Sequence, residues 1–418
     1  MRGIHSISVA LALVACSTDH YHSSTDRPGD ASDSHGPTDS GSGGGSGSCD
    51  GGTAAAVCPL GAGTFTDVLG VSNPLQQLSL ATEPSGEVLF GASQGGANTD
   101  VVHVSGAGEI SAMGSTILTL PFGSLVASDA SGDLYIAGSF TTAIDLGNGL
   151  VLTPQGNLDV FVAKLDANGH VIFARALGLC GDGVAAIAVG ADGRIALSGT
   201  AMGTAVLSAS GDIALQFAET GQVAFDTLGN LVIAGSQTDS AYAFLEKYDA
   251  SGTLVFRTAF EGKGVRISGL VVDTSDAIIF VGDATAYVDF FGTDITARFA
   301  SESGRFTGAF AVKTFSNRDP VFVKDLGIVE ANGVAVDANG QIFIAAAITG
   351  NTGFFRYMEI VKIDVHAVVS MFDFGGNANG RVVAIAVDAC GSVLAGLVRQ
   401  ATPDPQSEID TVVQKLAL

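Results

Sequence analysis

Short runs of apolar residues alternating with polar or small ones recur along most of the chain, and the runs end in clusters of Asp, Asn, Ser and Gly. The stretch from Asp159 to Gly178, DVFVAKLDANGHVIFARALG, displays the pattern most plainly. Phe161, Ala163 and Leu165 alternate with Val162 and Lys164, the period of two that sends side chains to opposite faces of a strand. In Asp166-Ala167-Asn168-Gly169 the Asp side chain accepts from the turn's own amides, and Asn or Gly takes the positive φ that closes the loop. Val171, Phe173 and Arg175 lead a second strand away, so the stretch predicts a β-hairpin. A hairpin alone is marginal in water, and this one is expected inside a larger sheet.

From about residue 60 of the 418 the pattern repeats, and two signatures alternate. The first is an apolar strand, a turn that usually reads Asp-x-x-Gly, and a second apolar strand. It occurs as SLATEPSGEVLFGAS, LVASDASGDLYIAGS, IAVGADGRIALSGT, VAFDTLGNLVIAGS, LVVDTSDAIIFVGD, VAVDANGQIFIAAA and IAVDACGSVLAGLV. The turn positions of these seven copies are Gly86, Gly132, Gly193, Gly229, Asp276, Gly340 and Gly391, a mean step of about 51 residues, which accommodates four strands with their loops. The second signature is the hairpin, which recurs as AYAFLEKYDASGTLVFRTAF from Ala241, DITARFASESGRFTGAF from Asp294 and MEIVKIDVHAVVSMFDFG from Met358. Weaker versions lie at Asp100 to Ser111 and Ala205 to Phe217. Each follows a copy of the first, so the repeat is an antiparallel unit of strands A, B, C and D with tight A-B and C-D turns.

The last unit ends in DTVVQKLAL, a strand C with no strand D behind it, while GTFTDVLG at Gly63 to Gly70 matches strand D and precedes the first strand A. Pairing Thr411 to Leu416 with Thr64 to Leu69 would complete that unit and close a ring without an open edge. The expectation is all-β: a seven-bladed β-propeller of four-stranded antiparallel blades, its last blade closed by the N-terminal strand. Only 36 residues separate Gly193 from Gly229, and Asp276 and the segment Ser392 to Gly396 distort their copies, which leaves blade boundaries open there. With DVFVAKLDANGHVIFARALG and its neighbours of the form IAVDxxGxhhhAG, h standing for an apolar residue, the chain resembles the bacterial SBBP-type β-propeller repeats of secreted and surface proteins. The resemblance covers roughly residues 61–418 and implies that strand A is innermost, lining a central channel. It implies no particular activity, because the repeated residues are structural.

Ahead of the repeats the sequence changes character. MRGIHSISVALALVACS carries one arginine and then a mostly apolar run from Ile7 to Ala15, too short to span a bilayer, so residues 1–15 read as a signal peptide. Its close, Leu13-Val14-Ala15-Cys16, resembles the lipobox of bacterial lipoproteins. That resemblance implies that Cys16 receives the diacylglycerol and becomes the first residue after cleavage, with Ser17 suiting delivery to an outer membrane. Burial of acyl methylenes at roughly 0.8 kcal/mol each would anchor the protein firmly. Residues 16–60 are mainly Ser, Gly, Asp, Thr, His and Pro and read as a flexible tether. His20, His22 and His35 within it are irregularly spaced and make no metal-ligand pattern. Cys49 and Cys58, where the tether meets the repeats, are expected to form a local disulfide in an oxidising compartment.

Composition then narrows the function classes. A net charge of −23, with only 19 scattered Lys and Arg, excludes nucleic-acid phosphates and anionic lipid surfaces as partners of the repeats. Trp is absent, which removes the indole platform of many carbohydrate sites. The A strands LSLA, SLVAS, AAIAV, QVAF, SGLVV, NGVAV and VAIAV carry no charge before their final turn, whereas a propeller enzyme brings carboxylates, His or metal ligands to the axis. Asp129, Asp166, Asp226, Asp249, Asp337 and Asp388 sit one to a turn and read as turn caps, since a calcium loop needs several oxygens at alternate positions. Gly91-Ala92-Ser93-Gln94-Gly95 matches GxSxG but runs from a strand into a Gly-rich loop, not into the helix a nucleophile elbow needs. Cys180 and Cys390 fall in loop classes at opposite ends of the units and read as unpaired thiols. No metal and no cofactor is expected.

What remains is an asymmetry of loops. The B-C and D-A connections vary greatly: Ser139 to Leu158, Asp283 to Thr293, Asn317 to Glu330, Ile348 to Tyr357 and Arg399 to Asp410. They are expected to project from one face, where recognition on a rigid scaffold resides. The candidate ligand-binding residues there are Asp145, Phe290, Phe291, Arg318, Asp319 and Arg356. The sequence thus reads as a monomeric, non-catalytic envelope lipoprotein, membrane-anchored through its N-terminal lipid, whose propeller binds or scaffolds a protein or glycan partner. The competing reading is a hydrolase or lyase acting on envelope or extracellular polysaccharide at the loop face.

Overall fold

The computed structural model describes residues 66–68, 78–82, 88–94, 98–104, 110–112, 118–121, 124–146, 150–178, 183–199, 201–236, 242–296, 299–300, 306–328, 330–349, 356–373, 380–388, 391–400 and 409–416. Every element within them is a β-strand, and every pairing is antiparallel. Cys16, Cys49, Cys58, Cys180 and Cys390 lie outside the described residues.

Strand β1 (Thr66–Val68) comes first, and the first repeat follows as β2 (Leu78–Thr82), β3 (Val88–Gln94), β4 (Asn98–Val104) and β5 (Ile110–Ala112), with β6 (Leu118–Pro121) also laid against β4. The next sheet begins with β7 (Leu125–Ser128) and β8 (Leu134–Phe140). A small hairpin, β9 (Ile144–Asp145) and β10 (Val151–Leu152), intervenes before β11 (Asp159–Leu165) and β12 (Val171–Ala176) complete that sheet. A plain four-stranded sheet follows: β13 (Val184–Val189), β14 (Ile195–Gly199), β15 (Gly203–Leu207) and β16 (Ile213–Phe217). Beyond it, β17 (Gln222–Phe225), β18 (Leu231–Ser236) and β19 (Tyr242–Tyr248) pair in order, and β19 pairs the first half of the long β20 (Leu254–Val272). The second half of β20 opens the neighbouring sheet with β21 (Ile278–Phe290). Here β22 (Thr293–Thr296) folds back along β21, β23 (Phe299–Ala300) pairs the start of β24 (Phe306–Thr314), and β25 (Pro320–Asp325) forms the outer strand. Then come β26 (Glu330–Val336), β27 (Ile342–Thr349), β28 (Arg356–Ile363) and β29 (Val369–Asp373). The last sheet is β30 (Gly380–Val387), β31 (Val393–Gln400) and β32 (Ile409–Leu416), with β1 as its outer strand. Thr66 stands opposite Gln414 and Val68 opposite Val412, the terminal pairing that the half-copies predict.

Local chemistry explains why each copy of the first signature is a hairpin. In the β7–β8 turn the Asp129 amide donates to the Asp133 carbonyl and the Gly132 amide to the Asp129 carbonyl, both at 3.0 Å, with Gly132 at φ 82°. This is a type I turn followed by a left-handed bulge residue. Asp129 Oδ1 accepts the amides of Ser131 at 2.9 Å and Asp133 at 3.1 Å. Asp226, Asp273 and Asp337 do the same in their own turns. At Asp337 the other carboxylate oxygen accepts from Gln341 Nε2 at 3.0 Å within the turn; at Asp129, Asp226, Asp273 and Asp388 it has a partner that turn chemistry alone does not reveal, a lysine from strand C. Lys247 Nζ lies 2.7 Å from Asp226 Oδ2, Lys313 2.8 Å from Asp273 and Lys415 2.7 Å from Asp388. Lys164 divides itself between Asp129 at 3.2 Å and Asp133 at 2.8 Å. Burial pushes the Asp226 carboxyl up, but the Lys247 ammonium and the Asn230 side chain and amide outweigh it and hold the group below its ordinary value.

The sheet of β13 to β16 departs from this rule in both partners at once. Gly190 stands where its neighbours have the Asp, and buried Val206 stands where they have the Lys, so no charge is stranded. Arg194 supplies a different staple, donating to the Gly229 carbonyl at 2.5 Å and the Ala250 carbonyl at 3.3 Å in the next sheet's turns. Asp276, the irregular turn position of β20–β21, has φ 63° where the other copies have Gly. Its carboxylate accepts the Thr227 amide at 2.9 Å and hydroxyl at 3.0 Å, tying two neighbouring turns together.

Apolar burial is divided into successive interfaces between facing sheets. Val126, Ile136 and Phe161 pack with Ala81 of the preceding sheet, Val232 and Leu245 with Phe280 and Phe310 of the following one, and Phe343 with Ile385 and Val393 further on. Polar side chains near the innermost strands cross the same interfaces. Ser79 Oγ donates to the Val126 carbonyl at 3.2 Å, Ser268 Oγ to Ala331 at 2.6 Å, Asn332 Nδ2 to Val382 at 2.9 Å and Thr82 Oγ1 to Val387 at 3.2 Å. The recurrent Gly of the B strands answers a crowding within each sheet: a Cβ on Gly235 would strike the Thr220 carbonyl just ahead of its partner β17, and one on Gly282 the Arg266 carbonyl of its partner β20.

The structure corrects three expectations from the sequence. Asp283 to Thr293 is not an irregular loop, because β21 runs through it to Phe290 and turns directly into β22. Likewise DITARFASESGRFTGAF is not the outer hairpin of its unit. That hairpin is β24–β25, whose AVKT places Lys313 on the Asp273 turn, as VAKL places Lys164 on Asp129. Asn317 therefore lies in a tight C-D turn and not in a variable connection.

Lys247→Met leaves the buried Asp226 carboxylate without its cation and is expected to lower unfolding stability by about 3 kcal/mol in urea titrations. Asp226→Asn in the same chain keeps the turn cap but removes the stranded charge, so the double variant should recover a large part of that loss.

Candidate functional site

The ends of the sheets differ. At one end lie the stereotyped A-B and C-D turns; at the other lie the B-C and D-A connections, where the structure adds elements. The largest addition is a ribbon. Past the point where β20 leaves β19, Gly262 pairs Val288 and Lys263 pairs Tyr287, and on the far side of β21 Tyr287 pairs Thr296 and Asp289 pairs Asp294. The turn at its tip is Phe291-Gly292, with φ 56° and 81°, the two left-handed residues of a type I′ hairpin. Asp289 Oδ1 accepts the Gly292 amide at 2.7 Å.

Alternation gives the ribbon two unlike faces. Phe260, Val288, Phe290 and Ile295 are buried underneath, where the Phe260 and Phe290 ring centroids are 4.9 Å apart and those of Phe290 and Phe310 4.7 Å. Above them, Glu261, Lys263, Tyr287 and Asp294 are exposed and Asp289 is half-exposed. Tyr242, at the start of β19, stands opposite Glu261 and joins this outer face at 52% exposure. The Tyr287 hydroxyl donates to Glu261 Oε1 at 3.3 Å, and the charges of Glu261 and Asp294 hold its phenol above the ordinary value.

Beneath the ribbon, the A and B strands of this sheet carry charge that their apolar centres do not foretell. Arg266 on β20 donates to the Asp283 carboxylate on β21, to the Ala331 carbonyl at 3.0 Å and to Asn332 Oδ1 at 3.5 Å. Burial pushes the Asp283 carboxyl up, and Arg266 opposes that only in part. Glu330 begins the adjacent β26. The A strands are therefore longer than the apolar segments read from sequence, and at this end they reach charged residues. The signal was present: FVGD stands where the sister strands read YIAGS and VIAGS, so Asp283 takes the place of a serine.

The six candidate residues do not form one patch. Asp145 is exposed on the β9–β10 hairpin, whose Ile144 and Leu152 pack on the core below. Phe290 is fully buried and is a support of the ribbon, not a contact residue, because its alternation with Tyr287 and Asp289 points it inward. Phe291 is half-buried against the Phe260 ring, centroids 5.0 Å apart. Arg318 and Asp319 sit at the opposite end of the sheets in the β24–β25 turn, where Arg318 has φ 74° at the position that is Gly169, Gly211 and Gly252 in three sister turns. Arg356 opens β28 opposite Thr349 at the loop end. Ser93 of the GxSxG string lies in the β3–β4 ladder opposite Thr99, as expected for a strand and not for an elbow. Tyr242, Glu261, Tyr287, Arg266 and Asp283 come together only in the folded chain, although the alternation of Tyr287 and Asp289 with Val288 and Phe290 signals a strand.

One further buried charge lies midway along the strands. Glu246 accepts from Tyr248 Oη at 2.6 Å, Arg257 Nε stands as an ion-pair partner 2.9 Å from its other oxygen, and Arg257 also reaches Glu219 at 3.5 Å. Burial raises the Glu246 carboxyl, and it pushes Tyr248 up as well. A raised carboxyl favours the protonated form in the folded state, so its stabilising contribution is complete below the ordinary Glu value and is lost as pH rises through the raised one. Glu246→Gln is therefore expected to reduce the decline in melting temperature between acid and neutral pH, as read by thermal scans across that range. Arg318→Gly should relieve the left-handed backbone and raise stability by about 1 kcal/mol in denaturant titrations.

No protein-family model matches the chain, and no curated protein matches it in sequence. Among solved structures it is similar to one described as the structure of Dos1 propeller, with a TM-score of 0.47 and 11% identity, over 84% of this chain and 93% of that one.

Proposed function

We propose that the successive sheets are the seven blades of a closed β-propeller, carried as the binding or scaffolding module of a membrane-anchored lipoprotein. Support for closure comes from β2, which bonds forward to β7 through Ser79 and back to β30 through Thr82, and from β1 completing the sheet of β32. Support for the anchor is the sequence ending in Leu13-Val14-Ala15-Cys16, with residues 16–60 as a tether long enough to free the propeller from the bilayer surface. The observation that carries the binding reading is the contrast between the two ends. One consists of uniform turns, while the other raises a ribbon on a packed phenylalanine base and presents exposed tyrosines and carboxylates. Rigid support beneath polar and aromatic contact groups is what a recognition surface requires, since little ordering is left to the moment of binding.

Cys16→Ala is expected to move the protein from the membrane fraction to the soluble fraction of fractionated cells; unchanged membrane association would remove the lipoprotein reading. For the module, the immobilised protein should retain a specific partner from envelope extracts, and Tyr242→Ala with Tyr287→Ala should release it. Cleavage of envelope polysaccharide by the purified protein would instead favour a hydrolase or lyase.

A further inference from the structure

We propose that the raised ribbon is a docking edge for a cationic, extended segment of a partner protein, which adds as a strand beside β22 and lays its basic side chains over the outer face. The proposal rests on the reading of the loop end as a binding surface and names the chemistry of what binds there.

The backbone supplies the first half of the argument. A two-residue turn makes Phe290 and Thr293 a hydrogen-bonded pair, and in an antiparallel ladder hydrogen-bonded and non-hydrogen-bonded pairs alternate. Asp289–Asp294 and Tyr287–Thr296 are then the non-hydrogen-bonded pairs. The amide and carbonyl of Asp294, and those of Thr296, consequently point away from β21 toward the outer edge. Among the described residues β22 has no strand partner other than β21. Two donors and two acceptors in line form the template that an added strand uses.

Side chains supply the second half. Tyr242 faces Glu261 across β19 and β20, Asp289 faces Asp294 across β21 and β22, and the register of Gly262 with Val288 brings Glu261 into the row of Asp289. Three carboxylates thus run across the sheet beside a tyrosine, with Lys263 alone as a cation in the neighbouring row. Like charges directly opposite on adjacent strands destabilise the free protein, most where the pair is non-hydrogen-bonded and closest. A cation laid across the row removes that cost. A second copy of the chain, with net charge −23 and the same acidic row, is repelled, so the edge resists pairing with itself while attracting a basic strand. Tyr242 and Tyr287, exposed at 52% and 40%, offer ring faces to Lys or Arg.

The test is binding of a fluorescent ten-residue peptide of alternating Lys and Thr to the full-length protein, followed by anisotropy. Saturable binding is expected, weakened by about 0.5 M salt, with an equivalent Glu-Thr peptide inactive. Asp289→Asn with Asp294→Asn should reduce affinity about five- to tenfold without lowering the melting temperature, because the change also removes repulsion. In the complex, hydrogen exchange at the Asp294 and Thr296 amides should slow. Equal binding by the double variant, equal binding of the acidic peptide, or unprotected edge amides in a saturated complex would each overturn the proposal. If the double variant still retained its partner from envelope extracts, the ribbon would be removed from the contact while the binding role of the loop end stood.

Discussion

The rest of the structure depends on a buried ion pair that spans three strands. In several sheets the aspartate that shapes the A-B turn gives one oxygen to the turn amides and the other to a lysine from strand C, at 2.7 to 2.8 Å for Asp226, Asp273 and Asp388. One side chain therefore specifies both a local turn and a non-local pairing. A strand C displaced by one residue would send the lysine to the opposite face and leave the carboxylate buried without its cation, an arrangement far costlier than the pair itself is stabilising. The pair acts chiefly on register. Its simultaneous loss at Gly190 and Val206 follows the same logic, since removing both partners strands nothing.

With register set in this way, apolar side chains of neighbouring sheets meet in successive interfaces and not in one central core. Small residues on the A strands let the backbones approach, as at Gly269, where a Cβ would meet Val334 of the next sheet. Serine, threonine and asparagine then satisfy carbonyls across the gap, from Ser79 to Val126 and from Asn332 to Val382. Such an assembly is quasi-repetitive: each sheet is stabilised mainly by its two neighbours. An added element at one end therefore perturbs little elsewhere.

The ribbon of β20, β21 and β22 exploits that tolerance. It continues existing strands, so its backbone bonds are met by extension, and Phe260, Phe290 and Phe310 fill the space beneath it. The outer face is left free for polar groups whose mutual repulsion the scaffold can bear. Arg266 below it, paired with Asp283, is a different case: its hydrogen bonds to β26 make it part of the junction between two sheets.

The sequence by itself determined the repeat, the strand order within it, the turn positions and the pairing of the two termini, because those rest on local periodicity and on turn chemistry written in consecutive residues. It also located the loop end as the variable one. Tertiary structure decided the rest. That the turn aspartates pair with strand C lysines is invisible along the chain, since Asp226 and Lys247 are brought together only by two strand reversals. The repeat signal misplaced Arg318 and Asp319, because an inserted β22 and β23 imitate an outer hairpin until Lys313 shows which strand meets the Asp273 turn. Phe290 looked like a loop aromatic for the same reason, and only the continuation of β21 turned it inward and left Tyr287, Asp289 and Asp294 outside. Whether a polar residue in a long connection is a contact group or a support depends on the register of the strand it joins, which is fixed by packing and not by composition.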